Sequence, residues 1–281
     1  MRTNVFFKGC PLRCGWCANP ESQHPKPELA IFKDRCITCG QFDATCYNLR
    51  ASQPGETSAA KTNGIFSERV DLCPVEAVHY FGQARTASSV LDDVRRDKPF
   101  YDDGGGLTLT GGEPTMQPRF AEALLKMAKL EGISTAIETC GHAPWSTFER
   151  LLPYLDSVLF DLKHLDSKIH QDYTGVGNEL ILTNLRKLAS YDIQLMLRIP
   201  LIPGFNTSET TLEAMGRFIL EDLNANISRL DLLPYHTLGK NKYDALGRSY
   251  PWENHRRLTA DDIEIFAGIF REMDLLVTVG G

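Results

Sequence analysis

From about residue 107 to the C-terminus, short apolar runs alternate with longer segments whose apolar residues recur every three or four positions. This is the pattern of βα units that build a parallel sheet. The spacing predicts strands at Leu107–Thr110, Ser134–Glu138, Ser157–Leu162, Gln194–Ile199, Arg229–Leu233 and Leu275–Val279, with one more at Asn4–Phe7. Between them it predicts helices near 117–131, 145–152, 179–190, 208–223 and 259–273. In the first of these, Phe120, Leu124, Met127 and Ala128 share the face that would pack on the sheet. With 281 residues, 42% of them hydrophobic, the chain can bury the core of one large α/β domain.

Residues 27–85 break the alternation. They are rich in cysteine, and Ala51–Gly64 is a polar, small-residue stretch with little to bury. The segment reads as a small inserted domain, with 1–26 and 86–281 forming the main body. Its hydrophobic content is too low to fold it unaided, so a metal or cluster is a physical requirement there. A formal net charge of -6, with Lys and Arg spread along the chain, excludes a nucleic-acid partner. No apolar run reaches the ~18 residues of a membrane span. The first residues lack the charged start and apolar middle of a signal peptide, which makes the cytoplasm the expected compartment.

Eight cysteines in a reducing compartment point to metal sites or catalysis rather than disulfides. Cys10, Cys14 and Cys17 present three thiolates from one loop, the ligand type that selects iron–sulfur clusters or zinc. Three is one short of four, so a four-iron cluster held there keeps one iron open; a zinc completed by His24 or Cys140 is the alternative. Cys36, Cys39, Cys46 and Cys73, the last followed by Pro74, supply the complement of one closed cluster, although the gap before Cys46 departs from ferredoxin spacing and zinc fits the same four. Cys140 has no neighbour in sequence and reads as a small buried residue.

Unusual polar groups fall at or just after the carboxyl end of nearly every predicted strand: the Cys10 loop, Gly111-Gly112-Glu113-Pro114, Glu138-Thr139, Asp161-Leu162-Lys163, Arg198 and Tyr235-His236. In an α/β barrel those ends meet at one mouth. Two glycines followed by a carboxylate suit close approach to a ligand and an ammonium group, but a plain strand–turn–helix entry reads the same. Glu138 and Asp161, flanked by apolar residues, need a partner or a cation, and Lys163 is the natural counter-charge in either a salt bridge or a ligand site. His236 and Arg198 are open to structural readings as well.

The run Phe6-Phe7-Lys8-Gly9-Cys10-Pro11-Leu12-Arg13-Cys14-Gly15-Trp16-Cys17-Ala18-Asn19-Pro20-Glu21-Ser22 resembles the loop of the glycyl-radical-enzyme activating enzymes of the radical S-adenosylmethionine (SAM) superfamily. The likeness continues through Gly104–Gly106, the Gly111–Pro114 run, Glu138–Gly141, Asp161–Lys163, Ile199–Gly204 and Leu233–His236 with Gly239, Lys240, Lys242 and Tyr243. It implies a partial (β/α)6 TIM-like barrel with a small ferredoxin-like cysteine-rich insert. Cys10, Cys14 and Cys17 would bind a catalytic 4Fe-4S cluster whose fourth iron takes SAM. Gly111, Gly112 and Glu113 would hold the cofactor's amino group, Lys163 its carboxylate, Glu138 and His236 the ribose side, and Trp16 would lie near the adenine. A monovalent cation near Asp161 is implied from some members.

The activity implied is reductive cleavage of SAM to a 5'-deoxyadenosyl radical that takes a hydrogen from a glycine of a partner glycyl radical enzyme, pyruvate formate-lyase-like. Flavodoxin or ferredoxin would be the electron donor under anaerobic conditions, and Arg198 and the Gly104–Gly106 turn would touch the partner. Relatives carry a segment ahead of the first strand of which only Met1-Arg2-Thr3 remains, so the start is expected to be truncated. Many have eight insert cysteines for two clusters; the four here predict one auxiliary cluster. The competing readings are a radical SAM enzyme acting on a small molecule or another peptide, and a non-catalytic zinc or iron–sulfur electron carrier, in which the strand-end motifs would be idle.

Overall fold

The computed structural model describes residues 1–37, 39, 73–101 and 104–280. In chain order its strands are β1 (Arg2–Phe7), β2 (Glu28–Ile31), β3 (Val78–Phe81), β4 (Gly106–Gly111), β5 (Thr135–Thr139), β6 (Ser157–Asp161), β7 (Gln194–Leu201), β8 (Arg229–Pro234) and β9 (Val277–Val279). All but β2 and β3 form one parallel sheet in the order β1-β4-β5-β6-β7-β8-β9. Among the described residues β1 and β9 do not pair, so the sheet is that of a partial barrel. The short β9, predicted at Leu275–Val279, makes seven strands where the barrel implied by the resemblance has six.

The helices are α1 (Ala87–Asp97), α2 (Pro118–Leu130), α3 (Trp145–Leu151), α4 (Ser167–Thr174), α5 (Glu179–Ala189), α6 (Glu209–Glu221), α7 (Lys240–Ala245) and α8 (Ala260–Arg271). Their ends carry readable signals. Ser208 caps α6 by accepting from Thr211 N, and Thr259 and Asp262 form a reciprocal capping box on α8. Gly175 ends α4 in the left-handed conformation.

Strand alternation separates two environments. Leu107 and Leu109 of β4, Ile137 of β5, Phe160 of β6, Leu197 of β7 and Leu232 of β8 are buried with Leu124, Phe148, Leu185, Met215 and Phe270 of the covering helices. The intervening residues Thr108, Thr110, Glu138, Asp161 and Arg198 are polar and bond to one another or to β1 across neighbouring strands. A parallel sheet buried on both faces reads as continuous apolar runs. Here polar residues interrupt those runs, mostly toward the carboxyl ends of the strands, where one face borders the site.

The five predicted helices and seven predicted strands all appear, with ends shifted by up to two residues. β7 runs on through Pro200 to Leu201 beside Pro234. The α1, α4 and α7 helices and the β2–β3 pair were not anticipated. Only Leu91 and Val94 of α1 are buried, too few apolar positions to impose a helical period. β2 pairs antiparallel with β3, Glu28 opposite Phe81 and Ile31 opposite Val78, so the two flanks of the cysteine-rich segment meet at one place. Cys46 and Ala51–Gly64 lie outside the described residues.

Candidate active site

The site starts where β1 stops. Gly9, at φ +96°, turns the chain off the sheet, and its N–H donates to Ser22 O at 2.7 Å. Cys10 N donates to Gln23 O at 3.1 Å and Arg13 N to Thr174 O at 2.7 Å, so the loop is held at both sides. Cys10, Cys14 and Cys17 are free thiols that border one cavity of about 190 Å³ at the carboxyl ends of the strands. Burial pushes the Cys14 thiol up to about 12 and Cys17 up to about 11. Both stay protonated at neutral pH until a cation draws the proton away. Three soft sulfur donors beside a polar cavity fit an iron–sulfur cluster with an open iron.

Cys140 is not isolated in space. Its thiol hydrogen-bonds with Cys10, which lowers the Cys10 pKa and raises that of Cys140 well above the usual thiol value. Its backbone N–H is fixed by Glu113 Oε2 at 2.7 Å. It is thus a buried residue, as read from sequence, and one that borders the cavity beside the Cys10 thiol.

The glycine pair after β4 binds the strand ends together. A Cβ on Gly112 would lie 2.3 Å from Gly9 O and 2.6 Å from Ser22 O, and one on Gly111, at φ +103°, 2.5 Å from Phe7 N. Gly112 N donates to Phe7 O and Glu113 N to Gly9 O, both at 2.8 Å. Gly111 and Gly112 border the cavity, but Glu113 does not. Its fully buried carboxylate accepts from Thr115 N and Oγ1, Thr139 Oγ1 and Cys140 N. Both oxygens brace the turn after β4 against the end of β5.

Glu138, Asp161, Lys163 and Arg198 meet in one chain of charges on the cavity wall. Arg198 lies between the carboxylates, 3.0 Å from Glu138 Oε1 and 2.8 Å from Asp161 Oδ1, and Lys163 Nζ is 2.8 Å from Asp161 Oδ2. Thr110 Oγ1 donates to the remaining oxygen, Glu138 Oε2, at 2.7 Å. Burial pushes the Asp161 carboxyl up, but the Arg198 and Lys163 charges outweigh it and hold it down at about 2. For Lys163, burial works downward and is outweighed by Asp161, which leaves the ammonium more firmly protonated than usual. All four carboxylate oxygens already accept from the chain.

Asn206, fully buried, was missed in the sequence. Its Nδ2 donates to Lys163 O at 2.9 Å and Pro200 O at 2.7 Å, and Oδ1 accepts from Ile202 N, so it sets where Lys163 leaves its strand end. Its position after Ile202-Pro203-Gly204-Phe205 was the only signal. Trp16 borders the cavity while its ring packs against Phe205, with centroids 4.7 Å apart, and edge-on to Trp252 at 5.5 Å.

His236 is exposed and outside the cavity wall; its Nδ1 accepts from Leu238 N. Arg198, on the cavity wall, is paired with both Glu138 and Asp161. Gly104 and Gly105 precede β4 and Gly106 opens it, at the far end of the sheet from the mouth. Close packing accounts for Gly105 and Gly106, where a Cβ would lie 2.6 Å from Met1 O and 2.1 Å from Ser134 O.

The arrangement matches a described family. The family model of the Radical SAM superfamily matches residues 4–215. The chain belongs to this superfamily. It is 36% identical over 298 residues to the (2S)-3-sulfopropanediol dehydratase activating enzyme of Klebsiella oxytoca, covering 100% of this chain and 92% of that one. It is 40% identical over 288 residues to the choline trimethylamine-lyase activating enzyme of Oleidesulfovibrio alaskensis, covering 99% and 92%. A crystal structure of a domain of pyruvate-formate lyase-activating enzyme from Bacteroides vulgatus matches with a TM-score of 0.54 at 31% identity, over 63% of this chain and 99% of that one. For a radical SAM protein, SAM and a 4Fe-4S cluster are the implied cofactors, and the three-cysteine loop at the strand ends fits them.

Proposed function

We propose that this radical SAM chain activates a glycyl radical enzyme. The observation that carries the reading is the meeting of Cys10, Cys14 and Cys17 with Lys163 and Asp161 in one cavity, in a chain whose relatives are activating enzymes. When bound, the reduced cluster supplies the electron that cleaves SAM to methionine and a 5'-deoxyadenosyl radical, which takes the Cα hydrogen of the partner's glycine. The chain's own residues bind and orient. The three thiolates hold the cluster, and Lys163, kept charged by Asp161, pairs with the cofactor carboxylate. Gly111 and Gly112 allow close backbone approach, Glu138 faces the ribose side, and Trp16 offers an apolar wall to the adenine. A monovalent cation beside Asp161 belongs to this reading.

The relatives' names favour a dehydratase or a lyase as the partner over pyruvate formate-lyase. The cysteine-rich segment 27–85 would form the insert, its Cys36, Cys39, Cys46 and Cys73 binding one auxiliary cluster. Flavodoxin or ferredoxin would supply electrons in an anaerobic cytoplasm. Among the described residues no helix is long and apolar enough to cross a membrane. The test mixes the reduced, reconstituted protein and SAM with candidate glycyl radical enzymes under anaerobic conditions and records electron paramagnetic resonance (EPR) spectra. A glycyl radical on a dehydratase or lyase is expected. Release of 5'-deoxyadenosine with no glycyl radical on any candidate would overturn the partner assignment.

A further inference from the structure

The turn that seats Cys10 is enclosed by a belt of charges. Ser22 O and Gln23 O accept from Gly9 N and Cys10 N, so the register of Cys10 depends on the turn at Pro20–Ser22. Cations from distant parts of the chain hold that turn. Lys242 Nζ lies 2.6 Å from Glu21 Oε1 and donates to Asn19 Oδ1 at 2.8 Å. Arg248 donates to Pro20 O at 3.0 Å and pairs with Glu28. Lys8, two residues ahead of Cys10, donates to Glu21 O and lies 3.0 Å from the other Glu28 oxygen.

Glu28 opens β2 and Gly82 follows β3, so both belong to the base of the cysteine-rich segment. The Lys8 stem crosses Gly82 so closely that a Cβ there would lie 2.9 Å from Lys8 Cδ, and Gly82 itself sits at φ +96°. A single side chain therefore touches both flanks of the segment and the turn that seats the cluster loop. The Lys8 and Glu28 side chains are only 14% and 19% exposed. A pair so shielded is screened less than surface pairs, whose contribution is usually small.

We infer that Lys8 and Glu28 are positioning residues for Cys10, their ion pair locking the cluster loop in register with the base of the cysteine-rich segment. A displacement of β2 and β3 then reaches the Cys10 turn through Glu28 and its two cations, Lys8 and Arg248. The inference rests on Cys10, Cys14 and Cys17 being the cluster ligands.

The test compares reconstituted wild type with Lys8→Met, Glu28→Gln, the double variant and Lys8→Arg, with Lys129→Met as a remote surface-pair control. Iron content, thermal midpoint, the EPR spectrum of the reduced cluster with SAM, and partner-free release of 5'-deoxyadenosine are measured on each. Outer contacts of metal ligands typically matter by 10–100-fold, so each single variant is expected to lose about 10-fold in release. Iron content and midpoint should be retained, the spectrum altered, the double variant no worse than Glu28→Gln, which also loses the Arg248 pair, and Lys8→Arg partly restored. An unaltered spectrum with full release in both single variants overturns the inference. So does a double-variant loss equal to the product of the single losses. No release from wild type would instead overturn the cluster-loop reading, which keeps the two failures distinguishable.

Discussion

At Asp161 two effects oppose each other, and their balance is testable. Burial favours the neutral acid, while Arg198 and Lys163 favour the carboxylate and hold its pKa at about 2. Because the folded value lies below the unfolded one, near 3.9, the interaction is fully present above that value and is lost as the pH falls toward about 2. Asp161→Asn is expected to cost ~2 kcal/mol in urea unfolding at pH 7, with the gap to wild type narrowing from pH 4 to pH 3. Cys14→Ala removes a cluster ligand outright; it should abolish 5'-deoxyadenosine release and lower iron by about four per chain. Lys163 as counter-charge to Asp161 could be read from the sequence because the two are neighbours on one strand end. The contacts of Arg198, Asn206 and Cys140 could not, since each partner comes from another element and nothing in local pattern specifies which strands adjoin.

Elements were legible in proportion to the apolar surface they bury. The α2 helix places Ala121, Leu124, Leu125 and Ala128 against the sheet at helical spacing, and its limits came within one residue of prediction. The α1 helix buries Leu91 and Val94 alone and left no such trace. Between elements, close backbone approach decides. Gly112 lies where β1, its following turn and β4 meet, and even one methyl group would overlap Gly9 O and Ser22 O. Gly112→Ala is expected to separate the cysteine loop from β4, cutting iron incorporation and lowering the thermal midpoint by several degrees. Both can be followed by iron analysis and calorimetry. The Gly-Gly-Glu motif thus has two parts: glycines at the cavity wall, and a carboxylate that ties neighbouring strand ends.

For the whole molecule, the cysteine count makes one numerical claim. With three thiols at the strand ends and four in the 27–85 segment, anaerobic reconstitution should yield about eight irons per chain. About four irons with one zinc would assign the segment to zinc. The sequence by itself determined the parallel α/β fold, because strand and helix periodicities are local and repeat along the chain. It also determined that Cys10, Cys14 and Cys17 form a three-ligand loop, because spacing within one loop survives any folding. Which strand ends face each other was decided only in three dimensions. That arrangement put Arg198 between two carboxylates, withdrew Glu113 and His236 from the cavity, and set Cys140 beside Cys10. Pair energies depend on distances between residues remote in sequence, and only the packed sheet sets those distances.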